Sequence, residues 1–298
     1  MINRAGLGIA CALGAAALYG FVPNFARGAF ENGVPPVETT FFRTTIVAIL
    51  LSSLAIFRGE RFFIPLAGLP SFTGQAAATL IISVSYLASI AFIPVGLAVI
   101  IFFSFPVLIM LAAPLIEGHS PGWRRILIAL FAFAGLAVAV GPSFESLDGR
   151  GLALAAASAF ACVLQFFTGR AISKHMTPAA LGGLVHIAIW PATLFIALYL
   201  GGGALAVLPG GVATSTGYLF VLGIGAFYVV AYFMHMSSLR YAPASVVAPY
   251  YNLEPVVTTA VAGFLLGERL AINQYVGGGM VLAALLLSSF YGFRKTAA

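Results

Sequence analysis

Residues 95–116, VGLAVIIFFSFPVLIMLAAPLI, run for 22 positions without a charged side chain. At a helical rise of about 1.5 Å per residue, such a run covers the roughly 30 Å hydrocarbon core of a bilayer. The pattern recurs along the chain. Polar or Pro/Gly breaks separate ten stretches of this kind, near 5–26, 36–57, 68–90, 95–116, 123–141, 150–172, 178–199, 214–238, 243–265 and 271–292. Charged residues make up 7% of the 298 and hydrophobic residues 61%, whereas soluble domains are about a quarter charged. A soluble core is therefore excluded. A transmembrane barrel would show alternating segments of about ten residues, and none appears. The expectation is an all-α integral membrane protein with ten transmembrane helices. Its loops are too short to hold an enzymatic or regulatory module. The stretch AAALYG resembles a signal-cleavage region, but Arg4 alone supplies charge before it and Asn24 follows, so the first span reads as retained. Cys11 and Cys162 fall inside spans, without metal or redox spacing, and read as small buried side chains.

Basic residues orient the spans. With ten crossings, both termini and the even-numbered loops share one side. That side collects ten of the fourteen Lys and Arg residues, against Arg27, Arg150 and Arg269 on the other and Arg43 within a span. The positive-inside rule then places both termini in the cytoplasm. The net charge of +6 reports this topology, and no basic cluster interleaved with aromatics points to nucleic acid.

The two halves repeat. Pro94 and Pro106 lie 12 apart, as do Pro243 and Pro255, and a shift of 149 residues superposes both pairs. The same shift sets Thr79 on Tyr228, Ser83 on Tyr232 and Tyr86 on His235. Two units are expected, 1–149 and 150–298, each with five spans. Because five is odd, the second enters the membrane from the opposite side, which makes an inverted-topology repeat around a central cavity.

Polar residues mark where that cavity would lie. Gln75, Thr79, Ser83 and Tyr86 follow one another at intervals of four, four and three, one helical face. Tyr228, Tyr232 and His235 form the matching face in the second half, and Ser158, Cys162 and Gln165 another. Polar groups are costly in hydrocarbon, so such faces turn to a wet cavity or to another helix. Asn24, Thr39, Tyr250, Asn252 and Glu254 complete the candidate substrate-binding set; His186 and Trp190 could also line the cavity, but a lone intramembrane His is more often a packing residue, and His186 stays outside the set. Arg43 either snorkels outward, pairs with Glu38 or meets an anionic group of the substrate, structural pairing being the default. Glu117 and Glu268, at the ends of matching spans, are accounted for by hydration. Pro94 and Pro243 stand near helix starts. Pro106 and Pro255 stand well inside spans, where proline bends a helix, and all four are candidate bend or hinge positions. No metal or cofactor is expected.

The segments LEPVVTTAVAGFLLGE (253–268), QYVGGGMVLAALLL, SFPVLIMLAAPLIEG and FFRTTIVAIL resemble the ten-helix EamA branch of the drug/metabolite transporter superfamily. Within it the chain is most similar to YddG-type exporters of aromatic amino acids. The resemblance covers nearly the whole chain and implies a bacterial cytoplasmic-membrane exporter working by alternating access, functional as a monomer. The substrate expected is an amino acid, aromatic or otherwise neutral, or a related metabolite. Glu254 would meet the ammonium, and Asn252, Gln165 or backbone N–H groups the carboxylate, between walls of Tyr86, Tyr228, Tyr232, Tyr250 and Tyr251. The alternatives are proton-coupled efflux of cationic drugs and, remotely, an intramembrane enzyme. The latter lacks HExxH, GxSxG and a glycine-rich phosphate loop.

Overall fold

The computed structural model describes residues 4–141, 147–201, 205, 213–265 and 270–294, and every regular element among them is helical. Glu268, Arg269 and Lys295 lie outside the described residues. The elements run α1 (Arg4–Tyr19), α2 (Val22–Glu31), α3 (Pro36–Phe57), a 3-10 turn (Leu66–Gly68), α4 (Leu69–Ser89), α5 (Val95–Phe102), α6 (Phe105–Ile116), α7 (Trp123–Val140) and α8 (Gly149–Ile172). They continue with α9 (Pro178–Leu200), α10 (Ser215–Tyr241), the short α11 (Ala244–Val247), a second 3-10 turn (Ala248–Asn252), α12 (Leu253–Leu265) and α13 (Ile272–Arg294).

Among the described residues, eight helical stretches are long and apolar enough to cross a membrane, from Arg4–Glu31 to Ser215–Tyr241. They correspond to the first eight stretches read from the sequence. The first runs on to Glu31, past residue 26, because α2 restarts after a break at Gly20–Phe21 with Pro23 in its opening turn. The expected stretch 243–265 is divided among α11, the 3-10 turn and α12, and the stretch at 271–292 is α13.

Local chemistry sets the helix ends. Pro36 and Pro178 open α3 and α9, where a missing N–H leaves no hydrogen bond unmade. The hydroxyls of Thr177 and Thr214 accept from Ala180 N and Gly217 N at the starts of α9 and α10. Asp148 accepts from Arg150 N at 2.8 Å and caps α8. Hydrogen bonds from the Arg150 side chain hold its carboxyl below the ordinary carboxylate range. At the other end of α10, Arg170 donates to the carbonyls of Leu239 and Arg240, a cation on a helix C-terminus.

The prolines expected inside helices are not there. Pro106 is the second residue of α6 and Pro255 sits in the first turn of α12. In each case the chain has already broken, at Phe103–Ser104 or through the 3-10 turn at Ala248–Asn252. Each proline therefore starts a half-helix instead of bending a continuous one, a position that proline favours. Pro94 and Pro243 precede α5 and α11 directly, as helix-start positions.

Helices from the two halves of the chain interleave. The most extensive packings are α4 with α8, α3 with α9, α7 with α13 and α1 with α10. The α7–α13 crossing is backbone on backbone: a Cβ on Gly277 would come within 2.3 Å of the Gly135 carbonyl oxygen and 2.4 Å of Ala139 N. Close approach of this kind is how apolar helices gain packing energy where lipid offers no hydrophobic contrast.

Candidate functional site

A polar network joins α4, α8 and α10. Gln75 is fully buried; its amide nitrogen donates to Tyr232 OH at 3.3 Å, and its oxygen accepts from Thr168 at 2.9 Å. One turn along, Gln165 donates to Thr79 Oγ1 at 3.0 Å. Thr79 donates to the Gln75 carbonyl and Ser83 to that of Thr79, each at 2.8 Å. The network ends at Arg43 on α3, whose Nη2 donates to Ser83 Oγ at 2.9 Å. The stripe is thus partly cross-helix bracing, with Ser83 at its open end.

Aromatic rings build the adjoining wall. The Arg43 guanidinium carbon lies 4.3 Å from the centre of the Tyr228 ring. Tyr228 meets Tyr19 at 5.3 Å and stacks with Tyr232 at 6.0 Å. His186 stands edge-on to Tyr232 at 4.7 Å, its Nδ1 at 2.8 Å from the Gly182 carbonyl. Further along α10, His235 lies against Phe166 (4.7 Å), Tyr251 (4.9 Å) and Tyr19 (6.2 Å), and its Nε2 is buried without a partner among the described residues. Tyr86 packs on Phe102 at 5.1 Å. Arg43 does not take Glu38, the partner expected for it. Tyr19, Phe166 and His186 also belong to this cluster. The visible sign of Tyr19 is its place as the last residue before the Gly20–Phe21 break.

Glu254 opens α12 beside this wall. Its carboxylate makes no hydrogen bond or ion pair among the described residues, and its side chain keeps some exposure. Its backbone packs against Gly20, the residue after Tyr19: a Cβ on Gly20 would come within 3.0 Å of the Glu254 carbonyl oxygen. A carboxylate at the depth of the hydrocarbon with no cation beside it is costly unless water or a ligand meets it.

Other candidates are occupied elsewhere. Asn24 donates to the Thr258 carbonyl at 3.1 Å and ties α2 to α12. Thr39 donates to Pro36 O within its own helix. Asn252 is fully buried; its nitrogen donates to Pro249 O, while Oδ1 has no partner among the described residues. Tyr250 is buried, in a group with Ile9, Arg125 and Ser245. Trp190 donates to Thr45. A separate cavity of about 270 Å³ opens between α3, α4 and α9. Its walls are mostly apolar (Val37, Val84, Leu87, Ile196), and Ser83 is its one residue from the candidate set.

Glu117 corrects the hydration reading. It is nearly buried at the end of α6, and its carboxylate accepts from Ala244 N at 2.7 Å and from Ser245 Oγ at 2.5 Å. It therefore caps α11, a helix from the other half of the chain.

Matches to known proteins meet this architecture at both halves. The EamA-like transporter family matches the chain twice, over residues 6–141 and 149–290. The chain belongs to the EamA-like transporter family. It is similar to the S-adenosylmethionine uptake transporter of Rickettsia bellii (strain RML369-C), at 23% identity over 265 residues, 87% of this chain and 84% of that one. A solved structure described only as "Crystal structure of protein" superposes with a TM-score of 0.83 at 15% identity, covering 98% of this chain and 99% of that one; the likeness is one of fold. As an EamA-like protein with membrane-length apolar helices, the chain is a multi-pass membrane transporter and not an enzyme.

Proposed function

We propose that this EamA-like transporter exports amino acids, aromatic and other neutral ones, and related metabolites across the bacterial cytoplasmic membrane by alternating access. The observation that carries the reading is Glu254, a carboxylate without a partner among the described residues, beside a wall of tyrosines. An ammonium satisfies the carboxylate, and flat rings accept an apolar or aromatic side chain.

The pairing of helices supports an inverted repeat of residues 1–149 and 150–298. Exchanging the halves turns α4–α8 into α1–α10 and returns α3–α9 and α7–α13 to themselves. Ten crossings with both termini cytoplasmic, action as a monomer, and half-helix starts at Pro94, Pro106, Pro243 and Pro255 as joints belong to the same proposal.

The name of the Rickettsia relative favours a second substrate within this class. S-adenosylmethionine is itself an amino-acid derivative with an additional positive charge, and transport in that case would run inward. Counterflow in proteoliposomes decides between them, with phenylalanine, leucine, S-adenosylmethionine, a nucleoside and a cationic dye compared with and without a proton gradient. Amino acids are expected to exchange, and Glu254→Gln to slow them at least tenfold. Movement of the dye or the nucleoside alone would remove the amino-acid reading. Proton-dependent movement of the dye, lost in Glu254→Gln, would replace it with drug efflux.

A further inference from the structure

We propose that Arg43 is the anchor for a carboxylate on the transported solute. The proposal rests on the amino-acid reading for the solute's identity, while the anion site stands on its own geometry. A guanidinium carries five N–H donors. In Arg43, among the described residues, one of them meets an acceptor, Ser83 Oγ at 2.9 Å, and the buried Nε meets none. Ser83 orients this cation without neutralising it, because its own proton is given to the Thr79 carbonyl. Tyr228 fixes the plane of the fork, with the guanidinium carbon 4.3 Å from the ring centre.

Arg43 lies seven residues beyond Pro36 at the start of α3, about 10 Å along the helix. A cation at that depth calls for a counter-charge, and no carboxylate among the described residues pairs with it. A planar fork with free donors suits a carboxylate, which accepts two parallel hydrogen bonds. Glu254, on α12, offers the opposite charge. Arg43 comes from the first half of the chain and Glu254 from the second. A zwitterion would therefore engage both halves at once, carboxylate on α3 and ammonium on α12, whereas the amides of Asn252 and Gln165 each already give one N–H to Pro249 and Thr79 and carry no charge.

The test separates the two ends of the solute. Purified full-length protein in neutral detergent is heated with 3-phenylpropionate, which carries only the carboxylate, or 2-phenylethylamine, which carries only the ammonium. Phenylpropionate is expected to raise the midpoint of the wild type and of Arg150→Gln, an exposed arginine, but not of Arg43→Gln. Arg43→Lys keeps the charge and loses the fork, so its half-saturating concentration should rise about tenfold. Should Arg43→Gln not yield a monodisperse protein, the Lys variant carries the measurement. No stabilisation of the wild type, or equal stabilisation of the Arg43 variants, overturns the anchor. Phenylalanine counterflow in phosphatidylcholine vesicles is then run on the same proteins. Exchange unaffected by Arg43→Gln would sink the anchor and leave the amino-acid reading standing. Arg43-dependent phenylpropionate binding with no amino acid moved would sink the reading and leave the anchor.

Discussion

Tyr228 carries two loads at once. Its face receives Arg43, and the same ring meets Tyr19 at a tilt and stacks with Tyr232. Removing the ring by Tyr228→Ala leaves the buried hydrogen bonds of α4 and α8 intact, so the expected cost falls on the ligand. Half-saturation for phenylalanine should rise about tenfold, near 1.4 kcal/mol, as judged by concentration-dependent counterflow. Gln75 is the opposite case. Fully buried and bonded to Tyr232 and Thr168, it holds α4, α8 and α10 together. Gln75→Leu should lower thermal stability by about 1–3 kcal/mol, through the cross-helix hydrogen bonds to Tyr232 and Thr168 that it removes, with little change in the affinity of the folded fraction. Unchanged stability in Gln75→Leu together with a lost affinity would move that residue from brace to ligand contact.

At the scale of elements, the junction between α6 and α11 is the most exposed to test. Glu117 supplies acceptors to the first turn of a helix only four residues long. Such a helix cannot hold itself in place. Glu117→Ala should cost about 1–3 kcal/mol and raise thiol labelling of a Ser245→Cys reporter, measured against the same reporter in the parent protein. Equal labelling in both would show that the junction stays closed without the carboxylate. Sequence pattern located the crossing segments well, because hydropathy over some twenty residues leaves few alternatives in a bilayer. It located the breaks poorly. Pro106 and Pro255 are visible in the text of the chain, but a proline in a first helical turn and a proline in an interior look alike until the preceding residues are placed. Arg43 was misjudged for a related reason: Glu38 is near it in sequence, whereas Ser83 and Tyr228 reach it only through packing. Tyr19 was hidden among the 13% of residues that are aromatic, since ring count says nothing about which rings face inward.

Over the whole molecule, α7 and α13 form a close pair that packs mainly within itself. Gly277→Val would drive a branched side chain into the Gly135 carbonyl. The expected result is a lower unfolding midpoint and a poor yield, with phenylalanine affinity unchanged in the protein that does fold. A selective loss of affinity instead would make the pair part of the binding unit. The helix facing the candidate site is continuous, unlike the jointed segments α1–α2, α5–α6 and α11–α12. The chain breaks between α1 and α2, between α5 and α6 and ahead of α12, whereas α10 runs unbroken for 27 residues. Tyr228, Tyr232 and His235 all ride on that one rod, so their mutual spacing is a fixed template. Under the proposed alternating access, selectivity for the shape of a side chain would then be the same whichever side of the membrane is open, and the grip of Glu254, carried on a jointed segment, would change while Arg43 stays on the unbroken α3.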